Sequence, residues 1–250
     1  MWGMPCYGNI HPKVYQTHLM AIARVARMGI KVVPNYFVVT NKMGLVSAEN
    51  LIVKAALAAN CDYLFMTEMD MLLPPDTLCK LYDLGKDFAA GLYFLRGTKA
   101  RPEACAYIKA QGDEAADYGF IPIMGLPSDG RAIRVDAAGM GCVLMKTSAL
   151  KALKQPWFDE GLGGFDDKET GRKKRCGSDM YFWAQVFKQG AGQLWLDSSL
   201  RCGQINEASP EEVDWSDYEA AIKLGRHDAR GFLFGNEGTP AYGAVDLRKD

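Results

Sequence analysis

Short runs of apolar, β-branched and aromatic residues alternate with segments of helical character along this 250-residue chain, and no other feature limits the fold as strongly. Residues 1–6, 30–39 (despite Pro34), 63–66, 88–94 and 141–145 read as strands. Pro12 opens a helix predicted to about residue 28, with Gly29 just past its end. Ser47 is placed to cap a second helix over 48–60 that turns Leu51, Ile52, Ala55 and Ala59 inward. Residues 77–84 make a short helix ended by Gly85, and 148–154 a helical turn stopped by Pro156. Further on, 161–175 reads as a mobile surface loop and 178–188 as a helix closed by Gly190. Strands then pair near 193–205, and a last helix over 215–224 precedes an irregular tail. Such alternation predicts a single-domain α/β fold, a mainly parallel sheet flanked by helices. Ligands bind these sheets beyond the carboxyl ends of the strands, which directs attention to the residues just after Cys6, Met66 and Met145.

Composition removes whole classes of function. A chain that is 48% hydrophobic and 24% charged buries enough to fold, so disorder over most of its length is excluded. With a net charge of −1, no overall field draws it to nucleic acid or an anionic membrane. No run reaches the roughly 18 apolar residues of a membrane span, and the first residues do not read as a secretory leader. The seven cysteines are scattered without a CxxC pair, which reads as free thiols in a reducing cytosol. The three histidines (11, 18 and 227) lie too far apart in sequence to suggest a zinc cage, and His227 reads as a surface residue of the tail.

The segment Tyr63-Leu64-Phe65-Met66-Thr67-Glu68-Met69-Asp70, followed by Pro74-Pro75-Asp76, carries the strongest chemical signal. Glu68 and Asp70 stand two apart where an apolar strand ends, so in extended chain both point to one side. Paired carboxylates repel unless a cation sits between them. Hard oxygen ligands suit Mg²⁺ or Mn²⁺, which takes one or two protein carboxylates and completes its shell with phosphate oxygens and water. A solvated turn carrying two acids is the plain alternative.

The stretch resembles the acid-x-acid region of GT-A-fold glycosyltransferases, and is most similar to family 2. Met4-Pro5-Cys6-Tyr7-Gly8 resembles the family's first strand and turn, and Ser47-Ala48-Glu49-Asn50-Leu51 the start of its second helix. Residues 138–145, with Gly139 and Gly141, resemble the glycine-rich entry to a strand beside the donor sugar. Pro156-Trp157-Phe158 and Gly177-Ser178-Asp179-Met180-Tyr181-Phe182 resemble the segment that ends in Glu-Asp-x-x-Phe. The resemblance spans residues 1–206 as one Rossmann-like GT-A domain, with 207–250 a helix and tail packed on it.

This resemblance implies a nucleotide-sugar donor, a UDP-sugar above others, and transfer to an acceptor hydroxyl with inversion. Asp70, Glu68 and Gln204 would hold Mn²⁺ or Mg²⁺ against the donor diphosphate, and Glu68 alternatively touches the ribose. Pro5, Cys6, Tyr7 and Asn50 would line the nucleotide pocket. Gly139 and Gly141 would admit the sugar, or else mark a bulge in the strand. Asp179 would take the proton from the acceptor, or else only cap its helix. Arg172 and Lys173, in the run Arg172-Lys173-Lys174-Arg175, would grip the diphosphate or an anionic acceptor. Trp157, Trp183 and Trp195 are candidates for stacking on a sugar face.

Three positions depart from the family. Glu49 stands where Arg is usual, Ser178 where Glu is usual, and Gln204 where many metal-dependent members carry His. A glycan or small-molecule acceptor is expected, with DNA as a minority alternative. Nucleotidyl transfer lacks the basic phosphate loop it would want after the first strand. A degenerate, non-catalytic sugar-binding module is the remaining reading.

Overall fold

The computed structural model describes residues 1–32, 38–39, 43–95, 104–109, 119–127, 129–160, 165–166, 173–174, 177–205, 212–213, 232–233 and the single residues 216 and 220. Six strands form the central sheet: β1 (Trp2–Gly3), β2 (Tyr63–Thr67), β3 (Phe88–Leu92), β4 (Ala132–Val135), β5 (Cys142–Lys146) and β6 (Leu194–Arg201). Their order across the sheet is β1-β2-β5-β3-β6-β4. β1 runs parallel to β2 and β3 parallel to β6, whereas β5 is antiparallel to both β2 and β3, and β4 to β6. Four strands therefore share a direction, as expected, but β5 and β4 run against them and the sheet is mixed.

Alternate side chains of these strands go to opposite faces, as the pleat requires. Leu64, Met66, Phe88, Ala90, Val143 and Met145 pack on one side. There they meet α2 (Leu45–Ala58), α4 (Thr147–Ala152) and α5 (Ser178–Gln189). Phe65, Ala89, Cys142 and Leu144 pack on the other, against α1 (Pro12–Ala26) and α3 (Thr77–Asp83). A sheet buried on both faces explains why its strands read as continuous apolar runs.

Helix ends follow the sequence punctuation. Pro12 is in the first turn of α1, and Gly29, Gly85 and Gly190 follow their helices with φ of 75°, 64° and 60°. α2 differs from expectation: it starts at Leu45 behind Gly44, so Ser47 lies inside it rather than capping it. Its buried stripe is Ala48, Glu49, Ile52, Val53 and Ala56, while Leu51 is exposed. The inward face is thus rotated by one position, and it carries a carboxylate.

The pairing of the smaller sheets was not legible in the sequence, and the two strands near 193–205 pair with other segments and not with each other. Ala106–Lys109 joins Ala137–Ala138 and Phe120–Met124, and Phe232–Leu233 pairs with the last of these. Gly203–Ile205 bridges Met71–Leu72 and Glu212–Val213. Pro5–Cys6 pairs with Val38–Val39. Inside the expected loop, Phe165–Asp166 and Lys173–Lys174 form an antiparallel ladder. Ser216 and Ala220 are helical, and the rest of the helix expected over 215–224 lies outside the described residues, as does His227.

Candidate active site

β2 ends at Thr67, and the chain turns through Glu68, Met69 and Asp70, with the Met71 N–H donating to the Glu68 carbonyl at 3.3 Å. Four anchors fix this turn. The Trp2 indole donates to Thr67 Oγ1 at 2.9 Å, and the Leu73 N–H donates to Thr17 Oγ1 at 3.2 Å. His18 Nε2 donates to the Met71 carbonyl at 3.0 Å, and the Ile205 N–H to the Asp70 carbonyl at 2.9 Å. His18 is fully buried, and burial lowers its pKa to about 4 although the Met71 carbonyl opposes the shift. It is therefore a neutral structural imidazole at physiological pH.

Glu68 and Asp70 do converge, but through this turn and not through strand alternation. Gln204 Nε2 donates to Asp70 Oδ2 at 3.1 Å and to Glu68 Oε2 at 3.4 Å. Gln204 arrives there because its strand pairs with Met71–Leu72, Gln204 opposite Met71. Its own Oε1 is buried without a hydrogen-bond partner. One amide thus occupies the space between two carboxylates. Among the described residues no three His, Cys, Asp or Glu side chains are grouped to hold a metal ion. The donor set that does converge is two carboxylates and one amide.

Asp179 lies in the first turn of α5, whose cap is Gly177. Asp179 Oδ1 accepts the Met180 N–H at 2.8 Å, so the side chain does satisfy the helix start. Burial nevertheless pushes its carboxyl above the usual range, against that hydrogen bond. Glu49 of α2 lies close by, only 2% exposed. Its pKa rises to about 8, first through burial and then through the charges of Asp179, Glu68 and Glu160, while a hydrogen bond from Ser178 opposes the rise. Glu49 and Ser178, two of the three positions that depart from the expected pattern, therefore meet through this hydrogen bond.

Tyr93, which the sequence did not flag, fills the space beside Gly139 and Gly141. Its hydroxyl accepts the Gly141 N–H at 3.0 Å. A Cβ on Gly139 would stand 1.9 Å from that hydroxyl, and one on Gly141 would stand 2.8 Å from the ring and 2.9 Å from Met71 Sδ. The phenol pKa is raised by burial, then by Cys105, Glu68 and Asp179 among others. Glu68 and Asp179 thus act on both Glu49 and Tyr93, which brings the acid turn and the start of α5 to one region.

Of the other expected site residues, Cys6 packs against Met69 of the acid turn, in one small cluster with Met4. Asn50 Nδ2 donates to the Val46 and Phe158 carbonyls, and its Oδ1 accepts the Trp157 and Phe158 N–H groups. It ties α2 to the chain after α4. Pro5 and Cys6 are buried at the sheet edge, Cys6 Sγ donating to the Gly8 carbonyl, while Tyr7 is exposed. Trp157 and Trp183 are buried and donate to the Leu150 and Ala138 carbonyls, so they belong to the core and offer no sugar platform. Trp195 lies near the start of β6, away from its carboxyl end, under the Lys86 ammonium. Lys173 sits on its short ladder, and Arg172 lies outside the described residues.

No protein-family model and no curated protein matches the chain. Solved structures do. A197 from STIV matches with a TM-score of 0.52 at 14% identity, over 85% of this chain and 92% of that one. GalNAc-T7, solved with UDP, GalNAc and Mn²⁺, matches with a TM-score of 0.52 at 12% identity over 89% of this chain. This chain spans 47% of that one, about half its length. The inositol-1-phosphate CTP transferase from T. maritima overlaps more loosely, with a TM-score of 0.41 at 10% identity. At such identities the likeness is one of fold. The mixed sheet with helices on both faces is weakly similar to the GT-A fold of GalNAc-T7.

Proposed function

We propose that this chain is a glycosyltransferase that moves a sugar from a nucleotide-sugar donor, a UDP-sugar first, to an acceptor hydroxyl with inversion. The observation that carries this reading is the convergence of Glu68 and Asp70 on the Gln204 amide, at the carboxyl end of a parallel strand. The fold shared with GalNAc-T7, which was solved with UDP and Mn²⁺, supports it.

The residues fit a divalent cation. Rotating the Gln204 amide would turn its buried, unpartnered oxygen toward the two carboxylates, giving Glu68, Asp70 and Gln204 as the three oxygen donors. Mn²⁺ or Mg²⁺ held there would neutralise charge developing on the departing diphosphate. Asp179 takes the proton from the acceptor hydroxyl, and its burial raises a carboxyl that would otherwise be a weak base. Tyr93 packs Gly139 and Gly141 into a rigid floor beside it. Pro5, Cys6 and Tyr7 border the nucleotide, and Arg172 and Lys173 bind its diphosphate. The acceptor is a glycan or small molecule, with duplex DNA as the other candidate.

Nucleotide-sugar hydrolysis with Mn²⁺ is the test. Slow release of the nucleoside diphosphate is expected from the wild type, and Asp70→Asn should lower it at least about a hundredfold. Full activity in EDTA refutes the cation's role, and binding without turnover favours a non-catalytic sugar-binding module.

A further inference from the structure

The transferred sugar must lie between the groups that hold the leaving diphosphate and the base that receives the proton. Glu49 lies within electrostatic reach of both ends of that interval: Glu68 and Asp179 act on its charge, and Ser178, next to Asp179, hydrogen-bonds its carboxyl. It is 2% exposed, and its Oε2 is buried with no hydrogen-bond partner. A buried carboxyl oxygen left without a partner costs free energy that a ligand group can recover. Glu49 reaches this place because it falls on the buried stripe of α2 with Ile52, Val53 and Ala56. Core packing alone would fill such a position with an apolar side chain.

We propose that Glu49 is a specificity-determining residue that binds a hydroxyl of the transferred sugar, so that the donor carries a neutral sugar and not a hexuronate. This rests on the reading of the Glu68–Asp70 turn as the donor site. A hydroxyl satisfies Oε2 in either protonation state, donating to a carboxylate or accepting from a carboxylic acid. An ammonium pairs only with the charged form. A carboxylate on the sugar could pair only with the protonated form, and would still face Glu68 and Asp179 in a poorly solvated space. The acids around Glu49 thus discriminate by repulsion as well as by attraction.

Calorimetric titration of the full chain with Mn²⁺ tests this. UDP, GDP, CDP and dTDP are compared first, then the glucose and glucuronate conjugates of whichever diphosphate binds. The wild type should bind the glucose conjugate at least about tenfold more tightly than the glucuronate conjugate. Glu49→Gln, nearly isosteric, should reduce that preference to about threefold or less, with bare diphosphate affinity unchanged. Ser178→Ala, which frees the held oxygen, should move the preference in the same direction and serves if Glu49→Gln fails to fold. Equal binding of both conjugates by the wild type overturns the proposal. So does an undiminished preference in folded variants. If none of the four diphosphates binds, the donor-site reading itself falls, a different result from either of these.

Discussion

Adding one methyl group at Gly139 separates two reasons for that glycine. If it is kept small for Tyr93, Gly139→Ala must damage the fold. If it is kept small for a ligand, the fold should survive and binding should suffer. The new Cβ would lie 1.9 Å from the Tyr93 hydroxyl, against 3.4 Å for ordinary contact, so the phenol must retreat by about 1.5 Å. Tyr93 is 3% exposed and has no room to do so without breaking its bond to the Gly141 N–H. Overpacking of this kind costs about 1–3 kcal/mol, and the broken bond about 1 kcal/mol more. For a chain of this length each kcal/mol lowers Tm by about 2–4 °C, so a drop of about 5–15 °C is expected. Tyr93→Phe alone leaves the Gly141 N–H unsatisfied and should cost about 1–2 kcal/mol. The double variant removes the closer of the two clashing atoms, leaving the ring carbon at 2.9 Å, so its loss should fall short of the summed single losses by about 1–2 kcal/mol in urea denaturation. Additivity within about 0.5 kcal/mol refutes the steric account. Unchanged stability in Gly139→Ala with weakened nucleotide-sugar binding would assign the glycine to the ligand instead.

Neighbouring contacts set further expected outcomes. Asn50→Ala removes four hydrogen bonds to backbone groups and should destabilise by about 2–4 kcal/mol, while nucleotide affinity of the folded protein stays near wild type. A large affinity loss at full stability would return Asn50 to the nucleotide pocket. Asp179→Asn keeps an acceptor for the Met180 N–H, so Tm should hold while transfer falls by about 10²–10⁴. Transfer within a few-fold of wild type would leave Asp179 as a cap. Glu49, held at about 8 against an ordinary 4.5, keeps a proton that the unfolded chain has released. Its stabilisation is present below about pH 4.5 and is lost as pH rises to about 8. His18, held at about 4 against 6.5, has the opposite sign and costs stability as pH falls from 6.5 to 4. The two oppose each other between pH 4.5 and 6.5. Above that the His18 contribution is complete, and Glu49 should lower stability by about 2 kcal/mol from pH 6.5 to 8. Urea midpoints should show this slope in the wild type and not in Glu49→Gln.

The sequence by itself determined what is local. Gly29, Gly85 and Gly190 end helices where their left-handed φ says they must, and Pro12 begins one. The apolar run at 63–66 becomes β2 and ends beside its acid pair. These outcomes depend on backbone freedom and side-chain period within a few residues. The buried stripe of α2 was legible only in part: Ile52 was read as inward, but Leu51, read the same way, is exposed, and Glu49 lies on the buried face. Only the tertiary structure decided the rest. β5 is inserted antiparallel between β2 and β3, an order that no local preference specifies because it depends on which apolar faces bury each other. Gln204 meets Asp70, Ser178 meets Glu49, and Tyr93 fills the space over Gly139, each across a long separation in sequence. A carboxylate two residues from another is an ordinary event in a sequence. It becomes a candidate site only when pairing of Gly203–Ile205 with Met71–Leu72 brings an amide between the two acids, and the buried face of α2 sets a third within electrostatic reach of Glu68.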